Sequence, residues 1–600
     1  MPMAVKEPPP VRAQRSTAVI LLAAILVGVL CAGLLAVSFL LPFSSVEHQL
    51  VHLYGAQRTA KHFSPAVWNA AQFRLRLVCG LLLLLAASMV VWRRDLNRSI
   101  GFGWTGLMYS ARHELRTKRN WKRLDAIALA AIVFVGVGLR LAYIQQTMRY
   151  DESATVLGYA SKPLYIALTV YNEPNNHLFH TLLVHIAMKL AGNAEWSVRL
   201  PAFLAGSMLI VLAYGVARRL GGSVAGLIAA ALVSASSILI EYSTNARGYT
   251  IICAATLAVI ITGIETLRRA SPAWFFLFGL TAVIGFWTIP AFLMSFGGVM
   301  IWLLWEMTLH RRRFRQIYLA RLFITSIGIA IITTLLYLPP MAVSGPRALV
   351  SNHWVAPRAV QSFLSRNVDQ FRLTWELWNR DMPVWVGWTL GVAFICSLVI
   401  SVRSRRLVVC SAGFVVLLLS ARHMVPFARN WLVFLPLFSA GAAISMAWLL
   451  QRLSPVYTQR LAPIAALAVS ALLGVLVLDR GSILTSTETG ILLSAPQIAN
   501  FMASKGIAPD HLFRGETSDL PLQYYWWRRT GARAAAPTLS SVSKPGLQDE
   551  WFLLNAAYGD NLDDVLKQYR IRDVTVLGKY SFKDANLYHI SCRFDLRPTA

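Results

Sequence analysis

Long apolar runs separated by short polar segments make up most of this chain. Runs long enough to cross a hydrocarbon layer about 30 Å thick recur along most of its length. They lie at 18–41, 75–92, 124–144, 199–217, 222–240, 249–267, 317–337, 384–402, 407–420, 430–450 and 461–478. A further uncharged run, Ala273–Trp305, is interrupted at Pro290 and is predicted to cross twice. The pattern therefore predicts an all-α polytopic membrane protein with about thirteen transmembrane helices. The first run, Ala18–Leu41, is too long for a signal peptide and is predicted to be a retained span.

Basic residues determine the predicted orientation of these spans. Clusters at Arg93–Arg123, Arg218–Arg219 and Arg403–Arg406 are expected on the cytoplasmic side, where Lys and Arg accumulate. The outer side then receives the loops at 42–72, 145–198, 241–248, 338–383 and 421–429, together with everything after about residue 480. The apolar stretch Asn175–Leu190 carries three histidines and is too short to span, so it is predicted to be an interfacial helix inside one long outer loop.

Composition supports a membrane protein and excludes several other classes. Hydrophobic residues make up 56% of the chain, charged residues 14%, and the formal net charge is +29. Because the basic residues fall in short clusters between apolar runs, they are interpreted as membrane anchors, and nucleic acid is not expected as a partner. The six cysteines form neither a disulfide framework nor a CxxC metal pattern.

The chain changes character after residue 480. Strand-like runs at Trp551–Asn555, Val574–Leu577 and Leu587–Ser591 alternate with helical patterns at Ala495–Ser504 and Asn561–Tyr569. These patterns predict a small α/β domain outside the membrane. The predicted domains are an N-terminal two-helix hairpin with a basic cytoplasmic loop (1–123), a transmembrane core (124–480) and an extracytoplasmic α/β domain (481–600).

Acidic and basic side chains collect in the predicted outer loops. Asp151 and Glu152 follow directly after the helix at 124–144, where ionisable groups next to hydrocarbon are a hypothesis of function by default. The same face carries further polar residues: Glu173, His177, His180, Arg199, Tyr242, Arg247, Arg422, His423 and Arg429. A carboxylate beside guanidinium groups suits glycosyl transfer from a lipid phosphate, which needs a base for the acceptor hydroxyl and cations for the leaving phosphate.

Four motifs in this order resemble the GT-C glycosyltransferases. They are Tyr150-Asp151-Glu152, Glu173-Pro174-Asn175-Asn176-His177, Glu195-Trp196-Ser197-Val198-Arg199-Leu200-Pro201 and Tyr242-Ser243 with Ala246-Arg247-Gly248-Tyr249. Within that superfamily, residues 124–480 are similar to the branch of protein O-mannosyltransferases and lipid A aminoarabinose transferases. Members of the branch move a sugar from a polyprenyl-phosphate donor to an extracytoplasmic acceptor with inversion.

The resemblance implies roles for individual residues. Asp151 matches the catalytic aspartate that acts as general base, Glu152 matches the second acid of the Asp-Glu pair, and Glu173 matches a second loop acid. Pro174 stands where a lysine tends to follow that acid, which departs from the aminoarabinose branch. Candidates for the donor phosphate are Arg247, Arg429 and Arg422, and candidates for substrate or metal contact are His177, His180, His423 and Tyr242. No cofactor is required by this resemblance, and a divalent metal is left open.

Each candidate also has a simpler interpretation. The Asp151–Glu152 pair could be a solvated loop start, Glu173 could interact with a helix dipole, and Arg199 could be a buried staple of its loop. His177 and His180 share helical spacing with Glu173, so a metal site can be drawn, but structural histidines are the commoner outcome.

The sequence therefore predicts an inverting glycosyltransferase in the cell (inner) membrane, with its active site facing the periplasm or exterior. Its expected partners are a polyprenyl-phosphate sugar donor, the lipid bilayer and an extracytoplasmic glycan, lipid or protein acceptor. The alternative is a transporter or lipid flippase, for which charged residues would be expected at mid-bilayer in broken helices.

Overall fold

A helix is found at each position where a span is predicted. The computed structural model describes residues 11–54, 64–91, 123–171, 173–269, 271–309, 312–345, 348–349, 359–507, 512–532, 547–568 and 570–594. The long and intermediate helices before residue 481 are α1 (Val11–Leu40), α2 (Phe43–Tyr54), α3 (Pro65–Val91), α4 (Arg123–Tyr143), α5 (Tyr150–Thr155), α6 (Leu164–Thr169), α7 (Leu178–Ala191), α8 (Glu195–Ser234), α9 (Ser237–Ser243), α10 (Tyr249–Arg269), α11 (Pro272–Thr288), α12 (Leu293–Thr308), α13 (Arg312–Ser344), α14 (Val360–Trp378), α15 (Val384–Ile400), α16 (Val402–Arg422), α17 (Leu435–Leu453) and α18 (Pro455–Arg480).

Nine helices in the described ranges are long and apolar enough to cross a membrane, or ten if α1 and α2, bent by 95°, form one broken span. Helices α11 and α15 are apolar but shorter. Helix α8 is 40 residues long and contains Gly222 at φ 91°, a conformation that an L side chain rarely adopts. The break at Gly222 therefore divides α8 into two helical segments, at the boundary between the two apolar runs that the sequence distinguishes there. The interruption before Pro290 likewise separates α11 from α12.

The described residues form two compact units. One comprises Met1–Trp121, Thr262–Val283 and Leu303–Ser351, and the other comprises Lys122–Ile261, Ile284–Trp302 and Asn352–Ala600. In the first unit, α1 packs against α3, and the side chains of Gln72 and Arg76 donate to the carbonyl of Ser38 at 2.8 and 2.7 Å. The basic loop that follows α3 lies at residues 92–122, outside the described residues.

The second unit contains the segment with the Asp-Glu pair and the C-terminal domain. Between α4 and α8 the chain forms α5, a π-helical turn at Val156–Ala160, α6 and α7, in place of a further span. The apolar segment near Asn175–Leu190 is confirmed as a short helix, with α7 only 14 residues long. Its buried side includes Leu178, His180 and Val184, so one face of α7 packs into the protein.

The tail after α18 has the mixed α/β character that its sequence predicts. Its elements are α19 (Ser482–Thr485), α20 (Ala495–Ser504), β1 (Leu512–Arg514), α21 (Glu516–Thr530), β2 (Gln548–Asn555), α22 (Leu562–Gln568), β3 (Ile571–Ser581) and β4 (Ala585–Phe594). The four strands form one sheet in the order β1-β2-β4-β3, with β1 parallel to β2 and the other pairs antiparallel. The three predicted strands and two predicted helices are present. Strand β1 and helix α21 were not predicted.

Polar contacts attach the tail to the segment before α5 and to the start of α8. The Tyr525 hydroxyl accepts from the backbone N–H of Met148 at 3.0 Å, and the Tyr524 hydroxyl donates to the carbonyl of Asn193 at 2.6 Å. Arg528 forms an ion pair with Glu195 at 2.6 Å. Met148, Val156 and Leu157 share a buried apolar cluster with tail residues that include Leu522 and Tyr524. The tail therefore supports the chain that carries the Asp-Glu pair.

Asp584 holds the part of the tail that lies just before α20. Its carboxylate accepts from the backbone N–H groups of Leu493 and Ser494 and from the Ser494 hydroxyl. We expect Asp584→Ala to leave these donors without their acceptor and to cost about 1–3 kcal/mol. Hydrogen exchange should then quicken at Leu493 and Ser494. Asp573→Asn, at an exposed pair with Arg593, should leave exchange there unchanged. If exchange at Leu493 and Ser494 stayed slow in both variants, Asp584 would not be what holds these residues.

Candidate active site

Glu152 is a buried structural anchor. It is fully buried and accepts hydrogen bonds from the backbone N–H groups of Arg149 at 2.8 Å and Ala246 at 2.9 Å. Its two carboxylate oxygens also pair with Arg199, from Nε at 2.9 Å and from Nη2 at short range. With both oxygens engaged by donors, Glu152 has no unoccupied oxygen to present to a substrate.

Arg199 completes this anchor. Its Nη1 donates to the carbonyls of Ile144 at 2.8 Å and Gln146 at 2.5 Å, and its Nη2 also donates to the carbonyl of Thr147 at 3.1 Å. Because the guanidinium is fully buried and its donors are satisfied, Arg199 holds the turn between α4 and α5 in one conformation. The interpretation of Arg199 as a loop staple is the one that this geometry supports.

Asp151 points the other way, toward two arginines. Its Oδ2 lies 3.7 Å from Nη2 of Arg247 and 3.6 Å from Nη1 of Arg429. The side chain of Asp151 is 14% exposed, whereas that of Glu152 is fully buried. Groups at these distances form ion pairs but are too far apart for hydrogen bonds. The N–H donors of the two arginines therefore do not hydrogen-bond to Asp151. The two neighbouring acids of the motif therefore have different partners: Glu152 pairs with Arg199, and Asp151 pairs with Arg247 and Arg429.

The two arginines come from segments far apart in the sequence. Arg247 lies in the turn between α9 and α10, is nearly fully buried and donates to the carbonyl of Asn175 at 3.4 Å. Arg429 lies in a 3₁₀ helix at Ala428–Phe434, with its guanidinium 4.5 Å from the ring of Phe427. Close packing requires the glycine after Arg247, because a Cβ on Gly248 would lie 2.5 Å from Cγ2 of Thr288.

A buried aromatic and histidine cluster borders the arginines. The rings of His177 and Tyr242 each meet that of Tyr249 edge to face, at 5.2 and 5.1 Å. His177 accepts through Nδ1 from the backbone N–H of Gly248 at 2.9 Å. Burial, with a further effect from Arg247, lowers the pKa of His177 well below its usual value, so this ring is neutral. Through this hydrogen bond, His177 helps to position the turn that carries Arg247.

The histidine metal site is not formed. In the ranges that the structure describes, no group of three or more His, Cys, Asp or Glu side chains could hold a metal ion. Helix α7 begins at Leu178, so Glu173 lies before the helix and does not share its face with His177 and His180. His180 is fully buried, and Glu173 is exposed. The assumption of one continuous helical face is wrong for this trio.

The remaining candidates occupy other positions. Arg422 is exposed in the last turn of α16, and His423 follows it at φ 45° with its ring 5.6 Å from that of Phe363. Tyr242 is fully buried on α9, and burial raises the pKa of its hydroxyl well above the usual value. Roles for these residues and for Glu173 stay predictions.

Sequence reasoning missed a second set of charged residues beside the site. Glu241 is fully buried between Arg149, at 3.3 Å, and Arg380, with which it forms a short ion pair. Arg149 also donates to the carbonyls of Ile483 and Ser486, in the first residues of the tail. Glu488, two residues after Ser486, lies near Arg429 and Asp151. Glu241 and Arg149 flank recognised motifs in sequence, but no local signal marks Arg380 or Glu488.

Comparison with known proteins identifies the class. Residues 172–337, less than half of the 600, match the family model described as dolichyl-phosphate-mannose-protein mannosyltransferase. The match includes Glu173 and Arg247 and begins after Asp151. Over these residues the chain is similar to a mannosyltransferase family, which bears out the predicted glycosyltransferase and favours an enzyme over the transporter alternative. A search of curated proteins gives no match.

Several solved structures are similar in a more distant way. The apo structure of ArnT from Cupriavidus metallidurans is 14% identical, with 78% of this chain and 97% of that chain covered at a TM-score of 0.49. The arabinosyltransferase EmbB from Mycobacterium smegmatis is 14% identical, with 62% and 34% covered at 0.36. The oligosaccharyltransferase from Archaeoglobus fulgidus, in complex with Zn and sulfate, is 13% identical, with 63% and 55% covered at 0.44. Likenesses this distant do not bear on substrate or mechanism.

Proposed function

We propose that this protein transfers a sugar from a polyprenyl-phosphate donor to a hydroxyl group of an extracytoplasmic acceptor, with inversion at the sugar. The observation that carries the proposal is the position of the Asp151 carboxylate between Arg247 and Arg429. A polyprenyl phosphate sugar fits the family model, whose description names a dolichyl-phosphate mannose. The bilayer that surrounds the helices would supply this donor, with the outer face of the inner membrane as the proposed location.

The proposed reaction is a single displacement at the sugar. The acceptor oxygen forms a bond to the anomeric carbon while the bond from that carbon to the phosphate oxygen breaks. The electron pair of the broken bond goes to the phosphate, and Asp151 accepts the proton of the acceptor hydroxyl. Arg247 and Arg429 would hold the phosphate as its charge increases, because guanidinium groups match pairs of phosphate oxygens. Glu173, exposed before α7, is the proposed contact for an incoming substrate.

The arginines provide the test. We expect Arg247→Ala and Arg429→Ala each to weaken donor use about 10- to 100-fold, from the loss of a charge-assisted hydrogen bond worth about 1.5–3 kcal/mol. The measurement is release of polyprenyl phosphate from a panel of polyprenyl-phosphate sugars, beginning with dolichyl-phosphate mannose, with purified full-length protein. Arg452→Ala, at an exposed arginine that lies over Trp448 on α17, is the matched control. Wild-type release of polyprenyl phosphate by the Arg247→Ala/Arg429→Ala double variant would overturn the proposal.

A further inference from the structure

Glu488 is held close to the Asp151 backbone by the two residues that follow it in the tail. The backbone N–H groups of Tyr150 and Asp151 donate to the carbonyls of Gly490 at 3.0 Å and Thr489 at 3.2 Å. The Thr489 hydroxyl also accepts from Asn245 at 3.1 Å, in the turn that carries Arg247. Gly490 has φ 73°, and a Cβ there would lie 2.5 Å from Cβ of Tyr150. The residue next to Glu488 is therefore fixed against two of the segments that form the candidate site.

The charged groups that face Glu488 come from several elements. Arg429 and Arg380 are the cations, Asp151 and Glu241 are the acids, and Tyr242 is the neighbouring phenol. Through the ion pairs of Asp151 and Glu241, the cluster also includes Arg247 and Arg149. Four guanidinium groups thus stand against three carboxyl groups, since Glu152 and Arg199 neutralise each other. The cluster has one excess positive charge when Glu488 is ionised and two when it is protonated.

Glu488 can change its charge near neutral pH. Burial raises its pKa to about 7, although Arg429 acts in the opposite direction, and the charges of Glu241 and Asp151 raise it further. His177 and Tyr242 do not titrate in this range, because burial keeps the first ring neutral and the second hydroxyl protonated. Below pH 7 the proton on Glu488 removes a negative charge from the neighbourhood of Arg429, so an anion is held more strongly there.

We propose that Glu488 takes up a proton from solvent when an anionic phosphate binds at Arg247 and Arg429, and that this carboxyl makes donor affinity depend on pH. The inference rests on the proposed function, because it places the donor phosphate at these two arginines. By linkage, the proton and the phosphate strengthen each other's binding, so affinity falls as pH rises through neutrality. Glu488 is a positioning residue in this scheme, since it acts through the charge of the cluster and leaves the proton transfer of the reaction to Asp151.

A prenyl phosphodiester is a suitable ligand for the test, because its own charge does not change over the pH range that is measured. Farnesyl methyl phosphate keeps one negative charge between about pH 5.5 and about pH 8.5, since a phosphodiester lacks the second phosphate ionisation near pH 6. Binding to the full-length protein is measured by calorimetry in detergent across this range. We expect wild-type affinity to fall about fivefold or more with rising pH, and Glu488→Gln to bind with nearly constant affinity. In two buffers of different ionisation enthalpy, the wild type should show proton uptake near pH 7, and Glu488→Gln should show none.

The controls separate this inference from the proposed function. Glu376→Gln, at an exposed pair with Arg372 on α14, should keep the wild-type pH dependence. A Glu488→Gln protein that keeps the wild-type dependence overturns the role of Glu488. So does a wild type that binds the phosphodiester more tightly than Arg247→Ala/Arg429→Ala but takes up no proton, a result that needs no Glu488 variant. If the wild type binds the phosphodiester no better than that double variant at any pH, the phosphate site itself is wrong.

Discussion

Asp151→Asn should reduce sugar transfer by about 10²- to 10⁴-fold, the usual contribution of a general base. Asparagine has nearly the shape of aspartate but cannot accept the proton of the acceptor hydroxyl. It also removes a negative charge that lies 3.7 and 3.6 Å from the two arginines. Donor affinity should therefore be retained or increased while kcat falls, and the comparison of kcat with donor binding is the measurement that checks it.

This separation of kcat from binding excludes a merely structural role. If Asp151 only held Arg247 and Arg429 in place, its removal would weaken donor binding together with turnover. Asp563→Asn, at an exposed aspartate on α22, is the matched control and should leave both quantities unchanged. Wild-type kcat in a folded Asp151→Asn protein would remove Asp151 from the chemistry.

Breaking the Glu152–Arg199 pair should have the largest effect on stability. We expect Glu152→Leu to cost about 3–5 kcal/mol, because it leaves a fully buried guanidinium without its counter-ion. Two backbone N–H groups, of Arg149 and Ala246, would lose their acceptor as well. Thermal unfolding in detergent measures the effect, which should appear as a much lower midpoint and as loss of activity at temperatures where the wild type is stable.

A matched comparison is available within the chain. Glu376 and Arg372 also form a Glu–Arg pair, but on the exposed surface of α14, where such a pair contributes about 0.3–0.5 kcal/mol. Glu376→Leu should therefore hardly change the midpoint. Similar midpoints for Glu152→Leu and Glu376→Leu would show that Glu152 is not the anchor described above.

The helices were predictable because the apolar runs and basic clusters that mark them are local features of the sequence. Every predicted span has a helix, and the break of α8 at Gly222 separates two runs that the sequence already distinguished. The short length of α7 was likewise predictable from the length of its apolar run. These features depend on local composition, which a sequence displays directly.

The different roles of the adjacent acids were not predictable in the same way. Asp151 and Glu152 are neighbours, and only the distant Arg199, Arg247 and Arg429 decide which of them is buried and which faces two cations. Glu488 belongs to the site because backbone pairing brings its segment to Asp151 from more than 300 residues away. Hydrophobic periodicity contains no information on such pairings, so a single sequence could not identify it.

The backbone pairing of Tyr150 and Asp151 with Gly490 and Thr489 has a practical consequence for anyone who wishes to shorten the protein. A truncation at Arg480, the end of the last long apolar helix, would leave a complete set of membrane helices and still remove the chain against which Asp151 is registered. A fragment meant to keep the acid ordered must include Thr489 and Gly490 and also extend past Asp584, whose carboxylate holds the backbone of Leu493 and Ser494.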